Sequence, residues 1–274
     1  MDDRAMNPSG VPRDDRGNIL GVTVNSINLD DAVATIERWI SERSQNYVCV
    51  TSVHGVMESR SNEQLRRIYS EAGMVTPDGM PLVWLSRIFG KHRTERVYGP
   101  DLMRKMTAVS ALRGYRQFYY GGADGVAHKL KQALIAAHPG LDVAGTFCPP
   151  FRELTPEEDQ AIVDTIINAA RPDLVWVGLS SPKQEFWMAN HLGRVEAPVM
   201  VGVGAAFDFL AGTKPQAPLW MQRNGLEWLF RLCSEPRRLW RRYIVIVPGF
   251  AILAIGAVLR HAIRSSEAVR RRPN

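Results

Sequence analysis

A chain of 274 residues that is 45% hydrophobic and 23% charged has enough apolar material for a full core, which excludes a largely disordered protein. Its three cysteines, Cys49, Cys148 and Cys233, lie far apart and match neither a disulfide framework nor the paired spacing of a zinc site, so reduced core thiols and a cytoplasmic compartment are expected. The net charge of +6 is unevenly spread: of 34 basic and 28 acidic residues, ten arginines and two glutamates lie from Arg231 onward, leaving a net of −2 before that point and +8 from it.

Residues 1–18, MDDRAMNPSGVPRDDRGN, are polar with no apolar stretch after their charges. They are expected to form a flexible arm and not a signal peptide. Apolar runs then alternate with segments of helical period. YVCVTSV (47–53), RQFYYGG (116–122), LDVAGTF (141–147), LVWVGLS (174–180) and PVMVGVGAAF (198–207) read as buried strands, with helices predicted over 55–72, 101–112, 124–137, 155–170 and 182–192. The plainest helix start is LTPEEDQAIVDTIINAA, with Thr155 as N-cap, Pro156 at the first helical position and acids in the first turn. This alternation predicts an α/β fold, a Rossmann-like, mostly parallel sheet with helices on both faces. Such folds bind ligands at the carboxyl ends of their strands.

Polar and glycine residues fall at those ends. Thr51 closes the first strand, Gly121 and Gly122 the second, Ser180, Ser181 and PKQE (182–185) follow LVWVGL, and GVGAAFD (202–208) closes the last. A diphosphate could rest on helix amino termini and glycines in this rim; ordinary βα-turn chemistry is the competing reading. Gly202 and Gly204 lack the third glycine of a dinucleotide fingerprint, which argues against a nicotinamide enzyme. VTPDGMPLVW (75–84) sets Asp78 between a proline and a glycine, either as a turn former or as a general base. Asp208 follows the last strand, where it could accept from a ribose hydroxyl or close a turn. A divalent metal held against a diphosphate usually needs a DxD pair, and FDF (207–209) carries one acid only.

The carboxyl-terminal part reads as a membrane element. GLEWLFRLCSEPRRLWRRY (225–243) mixes tryptophans and leucines with five arginines, suited to a helix in the headgroup layer. YIVIVPGFAILAIGAVL (243–259) has no charge but is short of the roughly 20 apolar residues of a span, and Pro248-Gly249 is expected to interrupt it. Attachment is therefore preferred to a clean crossing. The flanking Arg237, Arg238, Arg241, Arg242, Arg260 and Arg264 suit anionic cytoplasmic headgroups, so the body is expected to stay on the cytoplasmic side, and no nucleic acid is needed as a partner. The expected division is an arm (1–18), an α/β domain (19–224) and a basic, apolar appendage (225–274).

Six ordered motifs, TPDGMPLVW, RVYGPDLM (96–103), FYYGGADGVAHKL (118–130), SSPKQEFWMA (180–189), GVGAAFDFLAG (202–212) and APLWMQRNGLEWLFRL (217–232), resemble the WecG/TagA/CpsF glycosyltransferases, glycosyltransferase family 26, over about residues 19–243. The resemblance implies transfer of a sugar from a UDP-sugar to a polyprenyl-diphosphate-linked saccharide, with inversion and with no cofactor or required metal, in the building of teichoic acid linkage units, enterobacterial common antigen, capsule or exopolysaccharide. It makes Asp78 the general base, Arg96 a residue that positions substrates or reacting groups, Gln184 an active-site amide and Thr51 a sugar or acceptor contact. It also places Arg231, Arg238 and Arg241 at the diphosphates of donor or lipid. The asparagine common two positions after the threonine is Val53 here, a departure that bears on sugar specificity. His54 reads as a packing histidine, and Glu185 can equally cap its helix. Family members are often oligomers, though no segment here demands it. The chemistry agrees independently, since an inverting transfer needs one base near the acceptor hydroxyl and UDP leaves readily once its charge is stabilised. A non-catalytic membrane adaptor remains the rival reading; it would have no use for Asp78 or Gln184.

Overall fold

Residues 16–270 are described in a computed structural model, with side chains to residue 266. The chain enters through an antiparallel hairpin, β1 (Arg16–Ile19) and β2 (Val22–Asn25), so residues 16–18 of the expected arm belong to a strand; residues 1–15 lie outside the described part. Then α1 (Leu29–Glu42) starts where Asn28 accepts the Asp31 amide at 2.8 Å, an ordinary N-cap with acids in the first turn.

Six parallel strands follow: β3 (Asn46–Thr51), β4 (Met74–Pro77), β5 (Gln117–Gly121), β6 (Val143–Phe147), β7 (Leu174–Gly178) and β8 (Val199–Gly202), arranged in the order β4-β3-β8-β7-β5-β6. The connecting helices are α2 (Val53–Ser59), α3 (Glu63–Glu71), α4 (Met80–Ile88), α5 (Gly99–Arg113), α6 (Val126–Ala137), α7 (Pro156–Ile162, widening into a π-helical turn through Asn168), α8 (Lys183–His191) and α9 (Ala206–Leu210). The fold class is as the sequence predicts. Successive strand residues face opposite layers: Val48, Tyr119, Trp176 and Val201 pack with α1, α5 and α6, whereas Cys49, Tyr120, Val177 and Met200 pack with α2, α3, α8 and the hairpin. Because β3 leads into the second layer and β8, through α9, into the first, the chain leaves the sheet toward opposite faces at Thr51 and Gly202, the topology that forms a crevice in this fold. Such a switch point is where this fold holds ligands.

Several elements differ from expectation. β4 is an extra strand, four residues long and unmarked by any alternation. The helix predicted over 55–72 is two, because Asn62 turns the chain and accepts the Leu65 amide at 3.0 Å to begin α3. The strand expected to run to 207 stops at Gly202, where Gly204 takes a left-handed φ of 52° and starts the turn into α9. The predicted cap of α7 is present as a full capping box between Thr155 and Glu158.

The carboxyl-terminal part forms α10 (Leu219–Arg223), α11 (Glu227–Ser234) and α12 (Pro236–Arg270). Pro248 does not interrupt α12: Phe250 anchors the following turn in the core, and Gly249 lets Met57 lie so close that a Cβ there would be 3.3 Å from its terminal methyl. A proline inside a helix costs about 3 kcal/mol, and these contacts act against it.

Candidate functional site

β4 ends at Pro77, so Asp78 stands one residue past a strand's carboxyl end and the Pro-Asp-Gly turn feeds α4. Asp78 donates its amide to the Thr51 carbonyl at 2.9 Å, and Val97 donates to the Pro77 carbonyl at 3.0 Å. The Asp78 carboxylate accepts the Gly99 amide at 3.2 Å, at the start of α5, whose N-cap Tyr98 supplies no side-chain acceptor. The carboxylate thus serves a helix end that its own cap leaves open. Desolvation is the largest influence on Asp78 and raises its pKa to about 6; Glu227 pushes the same way, while Arg96, the Gly99 amide and Arg231 oppose it. An acid so placed is ionised at neutral pH yet basic enough to take a proton.

Arg96 is held by all three of its nitrogens. Nε donates to the Asp78 carbonyl, Nη1 to Gln222 of α10 at 3.0 Å, and Nη2 to Glu227 of α11 at 2.5 Å. Its guanidinium lies 3.9 Å from the Tyr98 ring centroid, and the Tyr98 hydroxyl donates to the other Glu227 oxygen at 3.1 Å. Glu227 is missing from the sequence-based candidates. It lies inside the motif APLWMQRNGLEWLFRL (217–232), a helical turn before Arg231, but no local chemistry singles it out there.

A second polar group lies beneath Thr51. Gln184 and Glu185 are buried at the start of α8, the Gln184 amide donating to Glu185 at 3.3 Å. Ser181 precedes them, and the Tyr69 hydroxyl sits so close to Gly55 that a Cβ there would be 2.3 Å away. Desolvation raises Glu185 to about 7 and Tyr69 well above its ordinary value, with hydrogen bonding from Ser181 opposing both. Strictly aligned partners are missing among the described residues for Gln184 Oε1, Glu185 Oε2, Ser181 Oγ, Tyr69 Oη and both His54 nitrogens. Buried polar atoms short of well-aligned partners are uncommon in folded interiors. His54 is driven down to about 4 by desolvation, then by Arg242 and Arg231, against the Ser181 backbone, so it is a neutral imidazole at pH 7.

The remaining candidates divide. Gly121 (φ 107°) would place a Cβ 2.8 Å from the Gly178 carbonyl, Gly122 has φ 82°, and a Cβ on Gly202 would meet Met188 at 2.7 Å and Gln184 at 3.0 Å, so the fold alone requires these glycines. Gly204 faces Gln184 Oε1, 3.5 Å from where a Cβ would stand. Asp208 lies in α9, accepts from Thr213 at 3.2 Å and pairs with Lys214 at 3.3 Å. Arg231 acts electrostatically on both Asp78 and His54. Arg238 pairs with Glu235 at 2.8 Å, and Arg241 lies 5.4 Å from the exposed Trp240 ring; neither is joined to Asp78 by a contact. Thr51, Arg96 and Arg231 are thus linked to Asp78 at the carboxyl ends of β3 and β4, and Gln184 lies against Gly202 and Gly204 past that of β8, on the other side of the β3–β8 crevice.

Known proteins are similar to this chain in sequence. The sequence model described as Glycosyl transferase WecG/TagA/CpsF family matches residues 17–264. Among individual proteins, the N-acetylglucosaminyldiphosphoundecaprenol N-acetyl-beta-D-mannosaminyltransferase of Bacillus spizizenii is 30% identical over 210 residues, 77% of each chain. Proteins of the same name from Bacillus subtilis (29%, covering 69% of this chain and 70% of the relative) and Staphylococcus aureus (25%, 81% and 86%) are also similar. A match from the first strand of the hairpin to deep within the last helix leaves no element of the crevice outside it, and the chain belongs to the WecG/TagA/CpsF family of glycosyltransferases.

Proposed function

We propose that this chain transfers a hexose or N-acetylhexosamine from a UDP-sugar to a polyprenyl-diphosphate-linked saccharide during assembly of a bacterial surface polysaccharide. The observation that carries the reading is Asp78, a carboxylate fixed past a strand end by the Gly99 amide and raised to about 6. The names of the relatives, which specify an N-acetylglucosaminyl-diphosphoundecaprenol acceptor and an N-acetylmannosaminyl group, support the substrate class. In the proposed step Asp78 removes the acceptor hydroxyl proton as that oxygen bonds to the anomeric carbon. The bond from this carbon to the diphosphate oxygen breaks with its electron pair leaving on UDP, and the configuration inverts. Arg231 is the arginine best placed to stabilise the departing charge. Thr51 and Gln184 offer hydrogen bonds to the sugars, while the rim glycines and Asp208 flank the nucleotide.

We also read residues 19–224 as the transferase domain and 225–274 as its membrane appendage on the cytoplasmic face. α12 is long and apolar enough to cross a membrane, but it lies along α2 and α4, with Phe250, Ala254 and Val258 turned to the body and His261 5.3 Å from Phe89. Its opposite side exposes Ile244, Val245, Ile252, Ile255, Leu259 and Ile263, with arginines before and after. Only 6% of the apolar stretch of α12 is buried against the body, but a helix that already rests on protein along one stripe suits an interfacial seat better than a crossing.

The test is UDP release by the detergent-solubilised chain from a panel of UDP-sugars, with a polyprenyl-diphosphate N-acetylglucosamine as acceptor. Acceptor-dependent release with one or more donors is expected. Its absence with every donor would overturn the reading in favour of a non-catalytic adaptor.

A further inference from the structure

The contact between Arg96 and the carboxyl-terminal helices is more elaborate than packing requires. Both oxygens of Glu227 are used, one by Arg96 Nη2 and one by Tyr98 Oη, and Arg96 in turn grips the backbone carbonyl of Asp78. The Arg96 and Glu227 side chains are only 14% and 21% exposed, so the pair is largely withdrawn from solvent screening. Buried Gln222 joins from α10, accepting from Arg96 and donating to the Ala217 carbonyl at 2.7 Å. Gly225, between α10 and α11, lies against the Trp84 ring, which a Cβ would approach to 3.0 Å. Arg231 follows Glu227 by four residues, one helical turn, on the same helix.

We propose that Glu227 is a positioning residue for the transfer reaction, the latch through which α11 is held onto Arg96 so that the Asp78 turn and Arg231 are presented together. This rests on the reading of Asp78 as the base. The latch places one negative charge beside Asp78, whose other charged or polar neighbours are Arg96 from the α4–α5 segment, Arg231 from α11, Tyr98 and the Gly99 amide. Glu227 is one of the influences that raise the Asp78 pKa, so removing its charge makes Asp78 a weaker base.

The experiment compares wild type, Glu227→Gln, Glu227→Asp and Tyr98→Phe as full-length, detergent-solubilised chains. It follows kcat/KM for acceptor-dependent UDP release from pH 5 to 8, with the most active UDP-sugar and polyprenyl-diphosphate N-acetylglucosamine. Glu227→Gln should lower kcat/KM about ten- to a hundredfold, the scale of losing a charge-assisted clamp, and move the acid limb to lower pH. Glu227→Asp, which keeps the charge, should hold the acid limb near wild type while losing rate. Tyr98→Phe, which removes one hydrogen bond and no charge, should lose severalfold in rate with the limb unmoved. An acid limb at the wild-type pH in Glu227→Gln would overturn the proposal even if the rate fell, because a merely structural role predicts that result. Should Glu227→Gln fail to fold, wild-type rates in both Tyr98→Phe and Glu227→Asp would overturn it instead. No turnover in wild type with any donor would remove the reading of Asp78, and the latch with it.

Discussion

The Gly99 amide donates to Asp78 at 3.2 Å, so the proposed base doubles as the acceptor for the first turn of α5. This relationship separates two jobs of one side chain. The hydrogen bond needs an oxygen, which asparagine also has, whereas proton removal needs a carboxylate.

Stability should therefore survive at Asp78. A folded-state pKa of about 6, above the ordinary 3.8, means that the folded protein binds this proton more tightly than the unfolded chain. The associated stabilisation is complete below the unfolded pKa and is lost as pH rises through 6, so at pH 7.5 the ionised acid is a cost. Asp78→Asn is expected to melt at or above the wild-type temperature at that pH, with a gain on the order of 1 kcal/mol, about 2–4 °C. Thermal denaturation checks it; a fall of several degrees would make Asp78 a structural turn residue.

Glu185 makes the same argument at higher pH. Desolvation raises it to about 7, so its contribution to stability is present below the ordinary carboxylate range and is lost as pH rises through 7. Glu185→Gln is expected to flatten the decline in Tm between about pH 4.5 and 7 relative to wild type. A parallel decline in both proteins would remove Glu185 as its source.

Gly202→Ala should be costly although its backbone is an ordinary strand. The added methyl would meet Met188 at 2.7 Å and Gln184 at 3.0 Å, and overpacking of this kind costs about 1–3 kcal/mol. Because one of the two side chains pressed is Gln184, transfer activity should fall further than that of an equally destabilised control such as Ile36→Val, far from the crevice on α1. Kinetics at matched folded fraction distinguish the two.

Membrane seating should depend on the outer stripe of α12. Ile252, Ile255 and Leu259 are 71%, 62% and 59% exposed, so the triple change to serine is expected to leave folding intact while lowering flotation with anionic phospholipid vesicles at least tenfold, given about 25 cal/mol per Å² of apolar surface. Unchanged flotation would place the membrane contact elsewhere.

Much of this architecture was legible because buried parallel strands are continuous apolar runs and helix starts carry capping chemistry: LVWVG and the Thr155 box need no tertiary information. β4 was not, since MVTP is too short to alternate and ends in a turn. Pro248 misled for the opposite reason, tertiary packing by Met57 and Phe250 overriding a local breaker. Within the crevice, Asp78, Arg96 and Gln184 were reached through motifs. Glu227 stood inside a motif without being singled out, because its contact exists only when residues 131 positions apart meet. The rim glycines, read as a diphosphate cradle, have reasons in φ angles and close contacts that no single sequence displays.

The most direct test of the whole account is acceptor-dependent UDP release by Asp78→Asn against wild type at pH 7.5, with UDP binding and the melting curve measured on the same preparations. The account predicts a rate lower by about two orders of magnitude or more, the scale of losing a general base, with UDP binding and fold retained. A variant that turns over within severalfold of wild type would contradict it and return Asp78 to the role of a turn.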